Sequence, residues 1–108
     1  MMNLFKWQRG RQEGGYRVLP LLTQKRFDLY LIDYPVGAHI PPHRDPNPNG
    51  KHYRLNITLL KGEGGKFRCR RSIYSSERVQ FFRPDENTHY VTPVTKGRRL
   101  VLSLGWIR

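Results

Sequence analysis

Cysteine occurs once, at Cys69, in a chain of 108 residues. No intramolecular disulfide can form, and a zinc cage built on thiolates is excluded; this usage fits a reducing, cytoplasmic setting. Acidic residues are scarce as well: 8 Asp and Glu stand against 20 Lys and Arg, a formal net charge of +12. Such a surplus attracts anions, and the attraction weakens steeply with salt. A polyanionic partner is one reading. Solubility of a small β-protein is the other, because the basic residues run from Lys6 to Arg108 without forming a block. No apolar run approaches the ~20 residues needed to span a bilayer. Met1 to Gly10 also lacks the apolar stretch of a secretory signal, so no membrane partner is expected.

Helix signals are nearly absent too. In their place, short runs rich in β-branched and aromatic residues recur between Gly, Pro and Asn punctuation. They predict strands near Tyr16–Leu22, Phe27–Tyr34, Tyr53–Leu60, Lys66–Cys69, Arg78–Phe82, His89–Thr92 and Arg99–Ile107. The fold class is therefore all-β, a sandwich or barrel with little or no helix. The length allows one domain, residues 1–108, with a modest core. Residues 1–15 are charged and glycine-bearing and read as a loose tail, although Phe5 and Trp7 argue that part of it docks.

Among these strands, one triplet carries chemistry. Along a strand, residues i and i+2 share a face, so His43 and Asp45 can offer an imidazole nitrogen and a carboxylate oxygen to one ion while Arg44 turns away. The triplet lies between Pro35-Val36-Gly37 and the stiff turn Pro46-Asn47-Pro48-Asn49-Gly50, and His89 follows another turn, Arg83 to Asn87. Two histidines and one carboxylate on one face leave open coordination positions, the pattern of non-haem Fe(II) oxygenases rather than of structural zinc. His-x-Asp alone is common in random sequence. Its weight comes from order: Arg99 comes ten positions after His89, and Ser103 shares its face at i+4, a guanidinium and hydroxyl suited to clamp a carboxylate. His39 and His52 fit no element of this pattern and read as solvated loop residues. Gly62, Gly64 and Gly65 read as a tight hairpin, since no helix follows them to form a phosphate cradle.

The set resembles the 2-oxoglutarate/Fe(II)-dependent dioxygenases, in their prolyl-hydroxylase-like branch, at minimal length. The resemblance runs from about Asp33 to Trp106, through Asp33-Tyr34-Pro35-Val36-Gly37, Pro42 to Gly50, Arg54 to Leu60, Gly64-Gly65-Lys66-Phe67, Val79-Gln80-Phe81-Phe82 and His89 to Arg99. It implies a double-stranded β-helix, the cupin-like jelly roll with its metal between two sheets. It also implies His43, Asp45 and His89 as iron ligands, with Arg99, assisted by Ser103, on the distal carboxylate of 2-oxoglutarate. Tyr34 lines the pocket in this reading, and Asn56 or Thr58 holds a cosubstrate carboxylate from the opposite wall. The chain is several residues shorter than relatives between Arg54 and Gly64, where they carry a cosubstrate-binding tyrosine. Some relatives place the arginine at the position of Arg98. Alternation favours Arg99, because Arg98 shares a face with Leu100, Leu102 and Leu104.

The implied cofactors are Fe(II), 2-oxoglutarate and O2, with ascorbate as an accessory reductant, and the implied products are succinate, carbon dioxide and a hydroxylated substrate. The resemblance suggests a protein or peptide side chain as substrate, and the net charge suggests a nucleic acid. A rival reading is a non-catalytic basic β-barrel that binds nucleic acid through Arg, Lys and aromatic stacking. A third is a family member that holds metal without turnover. Finally, if Arg99 faces the pocket, Leu100, Leu102, Leu104 and Trp106 form an apolar stripe on the outer face. Residues before Phe27, or a second copy of the chain in a homodimer, are expected to cover it.

Overall fold

Runs such as Phe27-Asp28-Leu29-Tyr30-Leu31-Ile32 and Leu100-Val101-Leu102-Ser103-Leu104 put a side chain on each face of a sheet in turn, which is the requirement of a two-layer β-protein. A computed structural model describes residues 4–10 and 12–108. Its strands are β1 (Gln8–Arg9), β2 (Arg17–Gln24), β3 (Phe27–Tyr34), β4 (Ile40–His43), β5 (His52–Leu60) and β6 (Glu63–Gly64), followed by β7 (Phe67–Cys69), β8 (Tyr74–Ser75), β9 (Val79–Phe82), β10 (His89–Val91), β11 (Val94–Lys96) and β12 (Arg99–Ile107). There is no helix among the described residues, and so none long and apolar enough to cross a membrane.

All strand pairs are antiparallel. The chain moves back and forth between two layers. The large sheet has the order β1-β2-β3-β12-β5-β9-β8, and the facing layer holds β4-β10-β7 with the small pair β11-β6. From β3 onward each large-sheet strand or hairpin is followed by strands of the facing layer, which makes the architecture a jelly roll. Between the layers lie Tyr16, Val18, Tyr34, Ala38, Val91, Val94 and Val101, all buried, with Tyr30, Ile32, Ile40 and Phe67 packed against them. Removing each large apolar side chain here from water contributes about 1.5–3 kcal/mol.

Two expectations change. The segment before Phe27 does not fold across the outer face of the large sheet. Instead β2 pairs with β3 and β1 pairs with β2, so the segment lengthens the sheet at its edge. The tail is docked where it is described: Phe5 N–H donates to Pro20 O at 2.8 Å, and the Arg17 guanidinium lies 4.9 Å from the Trp7 ring centre; residues 1–3 and 11 lie outside the described residues. His52, read as a solvated loop residue, instead opens β5 and is half-buried. The outer face itself carries Leu100, Leu102, Leu104 and Trp106, flanked in register by Leu31, Leu29 and Phe27 on β3 and by Ile57, Leu55 and Tyr53 on β5.

Candidate metal centre

β4 ends at His43, and the antiparallel pairing of β10 with β4 sets His89 directly opposite it. Asp45 follows the strand end, fixed by a 2.8 Å hydrogen bond from its backbone N–H to Pro84 O. The turn from Arg83 to Asn87 therefore serves both ligand segments. It is braced by Arg83 on Asp85 at 2.7 Å and by the N–H of Asn87 on Arg83 O at 3.0 Å. Burial, the largest single influence, would raise the Asp85 pKa, but the hydrogen bond from Arg83, backbone hydrogen bonds and the Arg83 charge together outweigh it and hold the carboxyl below its ordinary value.

Three side chains converge here. Asp45 Oδ2 lies 3.6 Å from His43 Nε2 and 3.8 Å from His89 Nε2, and one ligand atom from each residue lies within 4.8 Å of the others. The imidazole centres are 4.3 Å apart. His43 Nδ1 is 2.8 Å from Pro41 O and His89 Nδ1 is 3.0 Å from Asn87 O. A carbonyl only accepts, so the proton of each neutral ring belongs on Nδ1, which leaves both Nε2 lone pairs facing the carboxylate. Backbone carbonyls orient metal-bound histidines in this way. Burial pushes the His89 pKa down, against a smaller upward push from the Asn87 carbonyl, and so favours the neutral form that binds metal. Phe82 and Phe67 pack on His89 at 5.0 and 6.2 Å between ring centres and fix its plane. Nitrogen–nitrogen–oxygen donors on one wall, with space beyond them, fit a divalent transition metal with open positions.

The three ligands line a cavity of about 460 Å³ that also takes in Tyr34, Asn56 and Ser103. At its floor lies a group the sequence reading passed over. Arg54 donates to Ser103 Oγ at 2.7 Å and to Asp28 Oδ1 at 2.7 Å, and Ser103 donates in turn to Asn56 Oδ1 at 2.6 Å. Its guanidinium also lies 5.3 Å from the Tyr30 ring centre. One signal pointed to it: the inward positions Arg99, Val101 and Ser103 of β12 continue to Gly105, and a glycine inside a strand marks close approach of another group. A Cβ at Gly105 would lie 2.2 Å from Arg54 Nη2.

Arg99 faces inward, as alternation predicts, and is buried against Tyr34, its guanidinium carbon 5.6 Å from the ring centre. Arg98 turns outward, its Nε 2.6 Å from Asp33 Oδ1. Arg99 and Ser103 do not meet, however. Four residues of strand separate them by about 13 Å, and Ser103 is engaged by Arg54 and Asn56. Arg99 lines a second cavity, of about 300 Å³, with Phe67 in the wall of both. Its Nε is a buried donor without a hydrogen-bond partner, and an acidic ligand suits it. Burial raises the Tyr34 pKa far above the ordinary tyrosine value despite Arg99, so Tyr34 is a neutral hydroxyl. Thr58 is buried opposite Val101 and lines neither cavity.

No family model matches the sequence. No curated protein matches it significantly. Its fold has solved counterparts. A Pseudomonas putida prolyl-4-hydroxylase superposes with a TM-score of 0.70 at 17% identity, over 95% of this chain and 77% of that one. The Schizosaccharomyces pombe Cnp3 cupin domain gives 0.66 at 13% identity, over 95% and 69%. A structure of Rhodobacter sphaeroides SigE in complex with the anti-sigma ChrR gives 0.60 at 19% identity, over 92% of this chain and 48% of that one, so this chain spans about half of its length. The chain has a cupin-like jelly-roll fold, shared by proteins of different roles.

Proposed function

We propose that the protein is an Fe(II)- and 2-oxoglutarate-dependent dioxygenase that hydroxylates a substrate still to be identified. The observation that carries this reading is the convergence of His43, Asp45 and His89, each imidazole presenting Nε2 because its Nδ1 is engaged by a carbonyl, on the wall of a cavity. The fold shared with a prolyl-4-hydroxylase supports it. Iron held by these three residues would supply the activation of O2, coupled to oxidation of 2-oxoglutarate to succinate and carbon dioxide.

The chain's own contribution is placement. Pro41 O and Asn87 O hold the two rings in one tautomer, and the Arg83–Asp85 turn fixes Asp45 beside them. Arg99, beneath the neutral hydroxyl of Tyr34, offers a buried cation to the distal carboxylate of the cosubstrate. Asn56 and Ser103, locked by Arg54, line the opposite wall of the cavity. Thr58 contributes by supporting β5 against Val101.

The test is succinate formation from 2-oxoglutarate with ferrous iron, with ascorbate as reductant, across a panel of proline-rich peptides and single-stranded DNA and RNA. Turnover with one class, abolished by His43→Ala, is expected. Retained iron and 2-oxoglutarate binding with no succinate in any arm would make the chain a metal-holding, non-catalytic relative. No iron binding would end the enzymatic reading and favour the nucleic-acid-binding barrel.

A further inference from the structure

The face of the large sheet that turns away from the core is apolar across almost its whole width, and the described strands put no second layer on it. The registers set Leu22, Leu29, Leu104, Leu55, Phe81 and Tyr74 side by side in one row across six strands. At about 4.8 Å between strands this row is roughly 24 Å long, and the stripe from Leu100 to Trp106 runs about 20 Å across it. An apolar face of roughly 480 Å² is of the size that marks an interaction site. Its side chains reach solvent: Phe27 and Ile57 are each 37% exposed and Tyr74 is 57% exposed.

One corner of the face is already ordered for binding. Tyr53, Phe81 and Trp106, from three neighbouring strands, stack with ring centres 5.7 to 6.1 Å apart and planes within 27° of one another. Rigid aromatic side chains lose little entropy on binding and anchor protein interfaces. The two ends of the face are basic. At the Leu100 end, Asp33 is shared by Arg17 and Arg98, each at 2.6 Å, which leaves one positive charge over. At the Trp106 end, Lys51 and Arg108 exchange backbone hydrogen bonds of 3.0 and 2.9 Å one step beyond the pair of Ile107 with His52, so alternation turns Lys51 to the face of Tyr53. Lys25 and Arg26 form the adjoining turn between β2 and β3, where Arg26 O accepts from Ile107 N–H at 3.0 Å. Lys25, Arg26 and Lys51 have no ion-pair partner among the described residues.

We propose that this face docks an amphipathic helix of a partner protein, apolar along one stripe and acidic at both ends. An apolar sheet face buries itself against a second sheet or against helices. A second copy of this chain would supply the sheet, but it would set two charges of +12 together and basic ends against basic ends. A partner with carboxylates at those ends turns the same charges into attraction and fixes its own register. About 14 helical residues span the 20 Å stripe, and one further turn at each end carries the acidic residues over Arg98 and Lys51. The metal centre lies on the other side of the sheet, where Asn56 and Ser103 line its cavity, so a helix docked here leaves that cavity open.

The experiment titrates the full chain with two synthetic helical peptides of about 22 residues. Both carry one leucine stripe; the first has Glu in its end turns and the second has Lys. Binding is read by fluorescence anisotropy and backbone amide NMR. At low salt the glutamate peptide should bind about tenfold or more tightly than the lysine peptide, and the ratio should shrink as salt rises. Amide shifts are expected at Tyr53 to Ile57, at Phe81 and from Leu100 to Trp106. Ile57→Glu, at an exposed position, should weaken both peptides about tenfold. Lys25→Glu/Lys51→Glu should weaken the glutamate peptide alone, and the amide dispersion of each variant shows that its fold is kept. His43→Ala should change nothing, which separates this surface from the proposed enzyme activity. Four results overturn the proposal: neither peptide binds, both bind equally at low salt, the variants leave the glutamate peptide unaffected, or the free chain is already a stable dimer through Leu102 at low salt. Uptake by vesicles of anionic phospholipid, without binding of the glutamate peptide, would assign the face to a lipid surface instead.

Discussion

At the scale of single residues, Arg54 ties β5 to β12 and β3 through its hydrogen bonds to Ser103 and Asp28. Arg54 joins Asp28, Ser103 and Asn56 only because Gly105 has no side chain. Gly105→Ala should therefore destabilise the fold by about 1–3 kcal/mol, by displacing a pinned guanidinium from its partners. In a double-mutant cycle most of that loss should vanish in an Arg54→Ala background, measured by urea unfolding; additive losses would show that the two sites are independent. The histidines set a pH dependence. Burial holds His89 and His52 below the ordinary value of 6.5, with Arg54 adding to the effect at His52. Well above 6.5 neither folded nor unfolded chain is protonated there, and their contribution to stability is complete. As pH falls below 6.5 the unfolded chain takes up protons first, so stability is lost down to the depressed folded values. The melting temperature of the metal-free protein should fall between about pH 7.5 and 5.5, and less steeply in His52→Asn. An identical fall in that variant would remove His52 from the account.

At the scale of strands, the candidate ligands join β4 to β10, an edge strand and its neighbour in a layer of three. A redox-inert divalent metal at 100 times its Kd should add about 2.7 kcal/mol. The gain should appear as slowed hydrogen exchange in β4 and β10 more than in β2; uniform slowing would place the metal elsewhere. β4 is also where the sequence was hardest to read. Ile40-Pro41-Pro42-His43 has the composition of a loop, yet an edge strand tolerates proline because one side of its backbone needs no partner. The long strands β2, β3, β5 and β12 were legible from their runs of β-branched and aromatic residues between turn-forming residues. The two-residue strands β1, β6 and β8 and the three-residue β11 carry too few side chains to show a period. The convergence of His43, Asp45 and His89 was readable because spacing and order sufficed. The Arg54–Asp28 link was not, since it depends on β5 and β3 flanking β12, a fact of topology. For the same reason sequence put Arg99 and Ser103 on one face but could not assign them to different cavities.

For the whole molecule, charge and the outer apolar face pull in opposite directions. A second copy covering Leu100, Leu102 and Leu104 would bring two chains of +12 together. Self-association through this face should thus strengthen as salt screens the repulsion, and Leu102→Lys should abolish it. Sedimentation showing a monomer at every ionic strength would contradict a homodimer. The claim on which the rest depends remains the metal centre, and an anaerobic titration of the protein with Fe(II) followed by 2-oxoglutarate tests it most directly. The account predicts stoichiometric iron binding and a weak visible charge-transfer band when 2-oxoglutarate is added, both lost in His89→Ala and Asp45→Ala. Absence of iron binding by the wild-type chain, or a band that persists in both variants, would contradict it.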